Sequence, residues 1–128
     1  ILKVQSFLQE MRFPELYQAL SQTCTLIINI ANWPDKRRDH WQTLLKARSI
    51  ECQSFIAGCN RCGSGNGLNY SGDSAVYSPW GEEAAKAEPY KEQLIYAEIN
   101  GKVCREAREI FPVKQDRKLE LYRDFYAK

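Results

Sequence analysis

The run Thr25-Leu26-Ile27-Ile28-Asn29-Ile30 constrains the fold more than any other feature of this chain. It is apolar almost throughout and does not alternate, the pattern of a strand covered on both faces. Pro34 closes it. A second apolar stretch, Ser54 to Gly63 ("SFIAGCNRCG"), reads as another strand. Between them "DHWQTLLKARSIECQ" sets Trp41, Leu44, Leu45 and Cys52 on one stripe with the period of a helix. Asp39 and Gln42 have the spacing of a capping box at its start. Arg48 falls in the middle of that stripe, so it needs a partner or must reach out to water, and Glu51 is one candidate.

The flanks extend the pattern. "ILKVQSF" reads as a strand already under way, and Pro14 suits the first turn of a helix that carries Leu16, Tyr17 and Leu20 on one face. "SGNGLNYSGD" is rich in turn residues, "SAVYSP" is a short strand, and "WGEE" is a hairpin turn. "EQLIYAEIN" alternates, with Ile95, Ala97 and Ile99 on one side, and predicts a strand. "KVCREAREIF" is an amphipathic helix ended by Pro112. The tail "KQDRKLELYRDFYAK" is polar with a few aromatics, suited to lying across a surface or a partner subunit. Strand, helix, strand, helix, three strands and a helix make an α/β chain with a mixed sheet. With 128 residues and no repeat or linker, residues 1–128 are expected to form a single domain unit.

Composition excludes several partners. The apolar content of 44% allows a packed core. A net charge of +2 with mixed signs argues against nucleic acid or an anionic membrane surface. No apolar run approaches a membrane span. The opening is too short for a secretory signal, and five cysteines are an odd, small number for a disulfide scaffold. Reduced thiols in the cytoplasm are therefore expected.

Several local patterns invite chemistry. Cys59-Asn-Arg-Cys62 has zinc-ligand spacing, but neither Cys52 nor His40 completes a site, so small packing groups are the favoured reading. His40, the only histidine, sits in a first helical turn and fits a surface or cap role. Gly63-Ser-Gly-Asn-Gly67 lacks the Lys-Ser/Thr of a phosphate cradle and fits a turn between strands. Arg48 with Glu51, and Arg12 with Glu15, have the spacing of structural ion pairs. No metal or cofactor site is expected.

Six motifs, "MRFPELY", "ANWP", "HWQTLLKARSIECQ", "GCNRCG", "NGLNYSGDS" and "REIFPVKQDR", occur in an order that resembles the carbon–nitrogen hydrolase (nitrilase) superfamily, nearest its omega-amidase-like branch. The resemblance implies the second half of an α-β-β-α sandwich, two sheets flanked by helices. It also implies amide or nitrile cleavage through a thioester, with a catalytic Glu, Lys and Cys. The Glu and Lys belong to the first half, which this chain does not carry. The cysteine should stand at a strand-to-helix elbow, in a pattern like Cys-Tyr-Asp-Leu-Arg-Phe-Pro-Glu. Aligned on Arg12, Phe13, Pro14 and Glu15, this chain has Leu8-Gln9-Glu10-Met11. Leu8 thus takes the nucleophile's position, and leucine forms no thioester.

The resemblance therefore marks a vestigial pocket of Leu8, Gln9, Ala31, Asn32 and Trp33, with no catalytic residue of its own. Gln9 still offers a backbone N–H. The loop Ala31-Asn-Trp-Pro34 is either a pocket border or a turn with a packed tryptophan. None of Cys24, Cys52, Cys59 and Cys62 is placed to replace Leu8. Without a first half, one face of the sheet should be bare, so the chain is expected to be held by another copy or by a complementary half. Three functional readings follow: a piece of an amidohydrolase for a small amide that is inactive as given; a non-enzymatic interaction or regulatory module; or a chain whose first half and elbow were lost or misread, since residues 1–11 fit the pattern less well than Arg12 onward.

Overall fold

The computed structural model describes residues 4–7, as backbone, and 11–127. The elements are β1 (Val4–Phe7), α1 (Pro14–Leu20), β2 (Leu26–Ala31), α2 (Arg38–Cys52) and β3 (Phe55–Asn60), followed by β4 (Cys62–Gly65) and β5 (Leu68–Ser71). Then come β6 (Ala75–Tyr77), β7 (Glu83–Lys86), α3 (Gly101–Ile110) and α4 (Leu119–Tyr126). The five-stranded sheet runs β1-β2-β3-β6-β7. Its first three strands are parallel, joined by α1 and α2, while β6 and β7 pair antiparallel. The chain is thus α/β with a mixed sheet flanked by helices, as the alternation of periods predicts.

One face of the sheet makes the core. Ile27, Ile56, Ala75 and Tyr77 meet Tyr17 of α1 and Trp41, Leu45 and Cys52 of α2, all nearly or fully buried. Gly58 lets α2 come down on β3. A Cβ there would lie 2.6 Å from both Leu45 methyl carbons and 2.8 Å from the Trp41 ring. The opposite face is not covered as the apolar run Thr25–Ile30 predicts. Ile30 is 47% exposed and Cys59 is exposed.

The turns follow their residues. Asn66 and Gly67, both at positive φ, close the two-residue β4–β5 hairpin, the backbone that Asn-Gly favours. Gly81, also at positive φ, turns β6 into β7. α2 ends at Gln53 with φ 47°, an unusual site for glutamine. Its side-chain amide holds the conformation by donating to the carbonyls of Ala107 in α3 (3.1 Å) and of Phe111 just past its end (2.7 Å).

Several expectations are corrected. Asp39 and Gln42 form no capping box: a 3₁₀ turn, Asp35–Arg37, runs into α2 without a side-chain cap. Leu16 does not share the buried face of α1 and is 39% exposed. The expected strand in "EQLIYAEIN" is not formed: residues 92–100 carry no regular secondary structure and pair with no described strand, because alternation specifies a face and not a partner. The hairpin β4–β5, the edge strand β7 and the tail helix α4 were not legible; α4 keeps Leu119, Phe125 and Tyr126 exposed. Among the described residues, no helix is long and apolar enough to cross a membrane.

Candidate functional site

Parallel strands present their C-terminal ends together, and there the loops that follow carry an α/β protein's chemistry. In this chain β1 ends at Phe7, β2 at Ala31 and β3 at Asn60. Leu8 and Gln9, the first residues past β1, lie outside the described residues. What is described is the frame at this end of the sheet.

The elbow's far side is anchored by a buried charge. Met11 is fully buried just ahead of α1. Its carbonyl accepts from Arg48 Nε at 3.0 Å and Nη2 at 2.7 Å. Arg48 Nη1 donates to Glu51 Oε1 at 2.7 Å, and the guanidinium lies 5.6 Å from the Tyr17 ring centre. Arg48 thus finds its partner inward, with the Glu51 pair that the spacing predicts and a backbone acceptor that it does not. Asn29 of β2 donates to the Tyr17 hydroxyl at 2.6 Å, fixing α1 to the sheet.

The loop after β2 is equally fixed. Trp33 is buried, and its backbone N–H donates to Asn60 Oδ1 at 2.7 Å. Asn60 Nδ2 returns bonds to the carbonyls of Trp33 (3.1 Å) and Gly72 (2.9 Å). Trp33 Nε1 donates to the Arg37 carbonyl at 2.7 Å, and its ring stands 5.8 Å from that of Trp41. Arg12 lies over the Trp33 ring at 4.5 Å. Of the expected pocket border, Trp33 is a packing residue, Ala31 is half-buried and Asn32 faces solvent. The expected Arg12–Glu15 pairing gives way to other contacts: Glu15 accepts from the Tyr126 hydroxyl at 2.7 Å, which holds its carboxyl below the usual range.

A cavity of about 640 Å³ opens beside this frame, lined among others by Cys59, Cys62, Ser74, Tyr90, Lys91 and Glu92. Cys59 is exposed and Cys62 half-buried, so Cys59 is not the packing group that the sequence suggests. Burial pushes the Cys52 thiol up to about 12 and raises that of Cys104. Both stay protonated at neutral pH, the inert state of a buried cysteine. His40 is exposed, in keeping with a surface role. Among the described residues no group of three or more His, Cys, Asp or Glu side chains is placed to hold a metal ion.

Sequence reasoning missed two anchors. Asn60 was visible as a lone polar side chain at the end of an apolar strand. Asp73 is 1% exposed, at positive φ, and accepts a two-pronged bond from Arg38 at 2.7 and 3.1 Å. Trp41 Nε1 also donates to the Asp73 carbonyl at 2.9 Å. Nothing in the local pattern separates Asp73 from an ordinary turn aspartate.

The family model described as carbon–nitrogen hydrolase matches residues 6–109. An omega-amidase of Escherichia coli is 47% identical over 108 residues, which cover 84% of this chain and 42% of that protein. A 2-oxoglutaramate amidase of Bacillus subtilis is 37% identical over 114 residues, covering 88% and 44%. Among solved structures, a carbon–nitrogen hydrolase superfamily protein of Xanthomonas campestris superposes with a TM-score of 0.79 at 32% identity, covering 91% of this chain and 46% of its own. The chain therefore spans less than half the length of these relatives.

Proposed function

The chain belongs to the carbon–nitrogen hydrolase family, and on that premise we propose that it forms the elbow-bearing half of an omega-amidase-like fold that cannot take an acyl group. One observation carries this reading. Leu8 stands one residue past β1, four residues ahead of Arg12-Phe13-Pro14-Glu15, where α1 begins. The family resemblance puts the thiolate there. A hydrocarbon side chain has no lone pair for a carbonyl carbon, and covalent catalysis ends at that atom.

The surroundings support a retained scaffold rather than a relocated nucleophile. Arg48 still clamps the Met11 carbonyl, and Asn60 still pins the loop after β2. Cys24, Cys52 and Cys104 are buried. The general base and the oxyanion-holding lysine that the resemblance implies fall in the half that the chain does not span. The ligand class of the fold is a short monoamide, the class to which 2-oxoglutaramate in the Bacillus subtilis relative's name belongs.

The test is ammonia release. The purified chain is incubated with 2-oxoglutaramate or glutaramate, beside a sample whose thiols have been alkylated. No release above the buffer rate is expected from either. Release that alkylation abolishes would refute the reading and assign the work to a cysteine, with Cys59 and Cys62 on their cavity first in line.

A further inference from the structure

Glu15 and Gln18 fall three residues apart on one face of α1. Opposite them, a 3₁₀ turn, Val113–Asp116, brings Lys114 and Arg117 to one side, again three residues apart. α4 adds Tyr122 and Tyr126. Together these residues line a cleft of about 430 Å³, within the size range of small-molecule sites. It shares no lining residue with the cavity beside Cys59. Its two walls are tied together. The Tyr126 hydroxyl donates to Glu15 Oε1 at 2.7 Å. Lys114 Nζ donates to the Ser21 carbonyl at 2.8 Å and to the Ser21 hydroxyl at 2.9 Å, at the C-terminal end of α1.

Three groups in the lining have capacity left over. Arg117 is half-buried, and its guanidinium lies 5.6 Å from the Tyr122 ring centre. It makes no hydrogen bond or ion pair with any described residue. Lys114 uses two of its three N–H donors on Ser21. Gln18 Oε1 is buried and accepts no hydrogen bond among the described residues, while its Nε2 donates to the Glu51 carbonyl at 3.4 Å. A buried acceptor of this kind calls for a donor. The bond from Tyr126 holds the Glu15 carboxyl below its usual range, so it is charged at neutral pH. Lys114, pulled down to about 8 chiefly by burial, is still mostly protonated there. The lining thus presents two cations, one carboxylate and one orphaned acceptor.

That count selects among ligands. A simple anion such as sulfate meets Arg117 and Lys114 but brings no donor for Gln18 Oε1 and is repelled by Glu15. A molecule with two carboxylates and one ammonium answers every group. We propose that the cleft between α1 and the C-terminal segment binds an acidic α-amino acid, with its carboxylates on Arg117 and Lys114 and its ammonium on Gln18 Oε1 and Glu15. The planar fork of Arg117 grips one carboxylate at two points, and Lys114 holds the other as a point charge. Binding there needs no nucleophile, so it holds or fails independently of the loss of acyl transfer.

Isothermal titration calorimetry on the chain reads the binding of L-glutamate, glutarate and sulfate. L-Glutamate should bind saturably at one site. Glutarate, which lacks the ammonium, should bind at least about fivefold weaker, and sulfate weaker still. Arg117→Gln should weaken L-glutamate by about tenfold or more. Because Arg117 bonds to no described side chain or carbonyl, that variant should keep the parent's Tm. Lys118→Gln removes the same charge one residue away, outside the lining, and should leave the affinity unchanged. Glu15→Gln should weaken L-glutamate but not glutarate, which separates ammonium recognition from a general loss of structure. Absence of saturable binding in the millimolar range, glutarate or sulfate binding as tightly as L-glutamate, or equal losses from Arg117→Gln and Lys118→Gln would each overturn the proposal.

Discussion

Replacing Arg48 by methionine keeps the apolar stem of the side chain and deletes the guanidinium. Two bonds to the Met11 carbonyl, at 3.0 and 2.7 Å, and one to Glu51, at 2.7 Å, disappear together. Met11 is fully buried, and a buried carbonyl left without its donor costs about 1–3 kcal/mol. The Glu51 pair adds less than about 1 kcal/mol, because that carboxylate is 35% exposed and screened by water. Removing a buried charge returns part of its desolvation cost. The net loss is about 2 kcal/mol, or roughly 1 M in urea midpoint for a small domain. The loss should be local in origin. Hydrogen exchange over residues 11–20 should quicken more than over β3, since the clamp ties the start of α1 to α2. Arg48→Lys, which keeps the charge but not the fork, should recover only part of the loss. An Arg48→Met chain as stable as the parent to within about 0.5 kcal/mol, with unchanged exchange over 11–20, would refute the account of Arg48 as the elbow's anchor.

Gly58→Ala should destabilise the chain by about 1–3 kcal/mol, since its Cβ has no room between Leu45 and Trp41. Thermal unfolding checks this, and pairing it with Leu45→Ala should cost less than the two losses added, because the two changes share one space. Burial, with Arg108 nearby, pulls the Lys114 ammonium down to about 8 from its ordinary 10.5. Between those pH values the unfolded chain binds more protons at this site than the folded one, so the site's contribution to stability rises with pH across the window. The difference in unfolding free energy between the parent and Lys114→Met, measured from pH 7 to 10.5, should grow in the parent's favour; a flat or falling difference would contradict it.

The candidate site was legible where it rests on sequence order and illegible where it rests on contact. Arg48 announced itself as a charge in an apolar stripe, and Glu51 three residues on was a readable partner. The Met11 carbonyl was not, because 37 residues separate donor and acceptor. Trp33 left two readings open, and only the bonds to Asn60 and Arg37 show it as a packed anchor. Cys59 misled, because an apolar strand gives no sign of which of its faces will find a cover.

The sequence by itself determined the α/β alternation, the helix α2 with its core stripe, a turn within Gly63–Gly67 and the family resemblance. These depend on periodicity, turn chemistry and residue order, which act within a few residues of one another. Tertiary structure alone decided that β6 and β7 join the sheet antiparallel, that Gly58 is the contact point of α2, and that the alternating segment 92–100 has no described strand beside it. A strand's period fixes which side chains share a face. Which backbone lies next to it is decided by groups far along the chain, or on another chain, that compete for the same donors and acceptors.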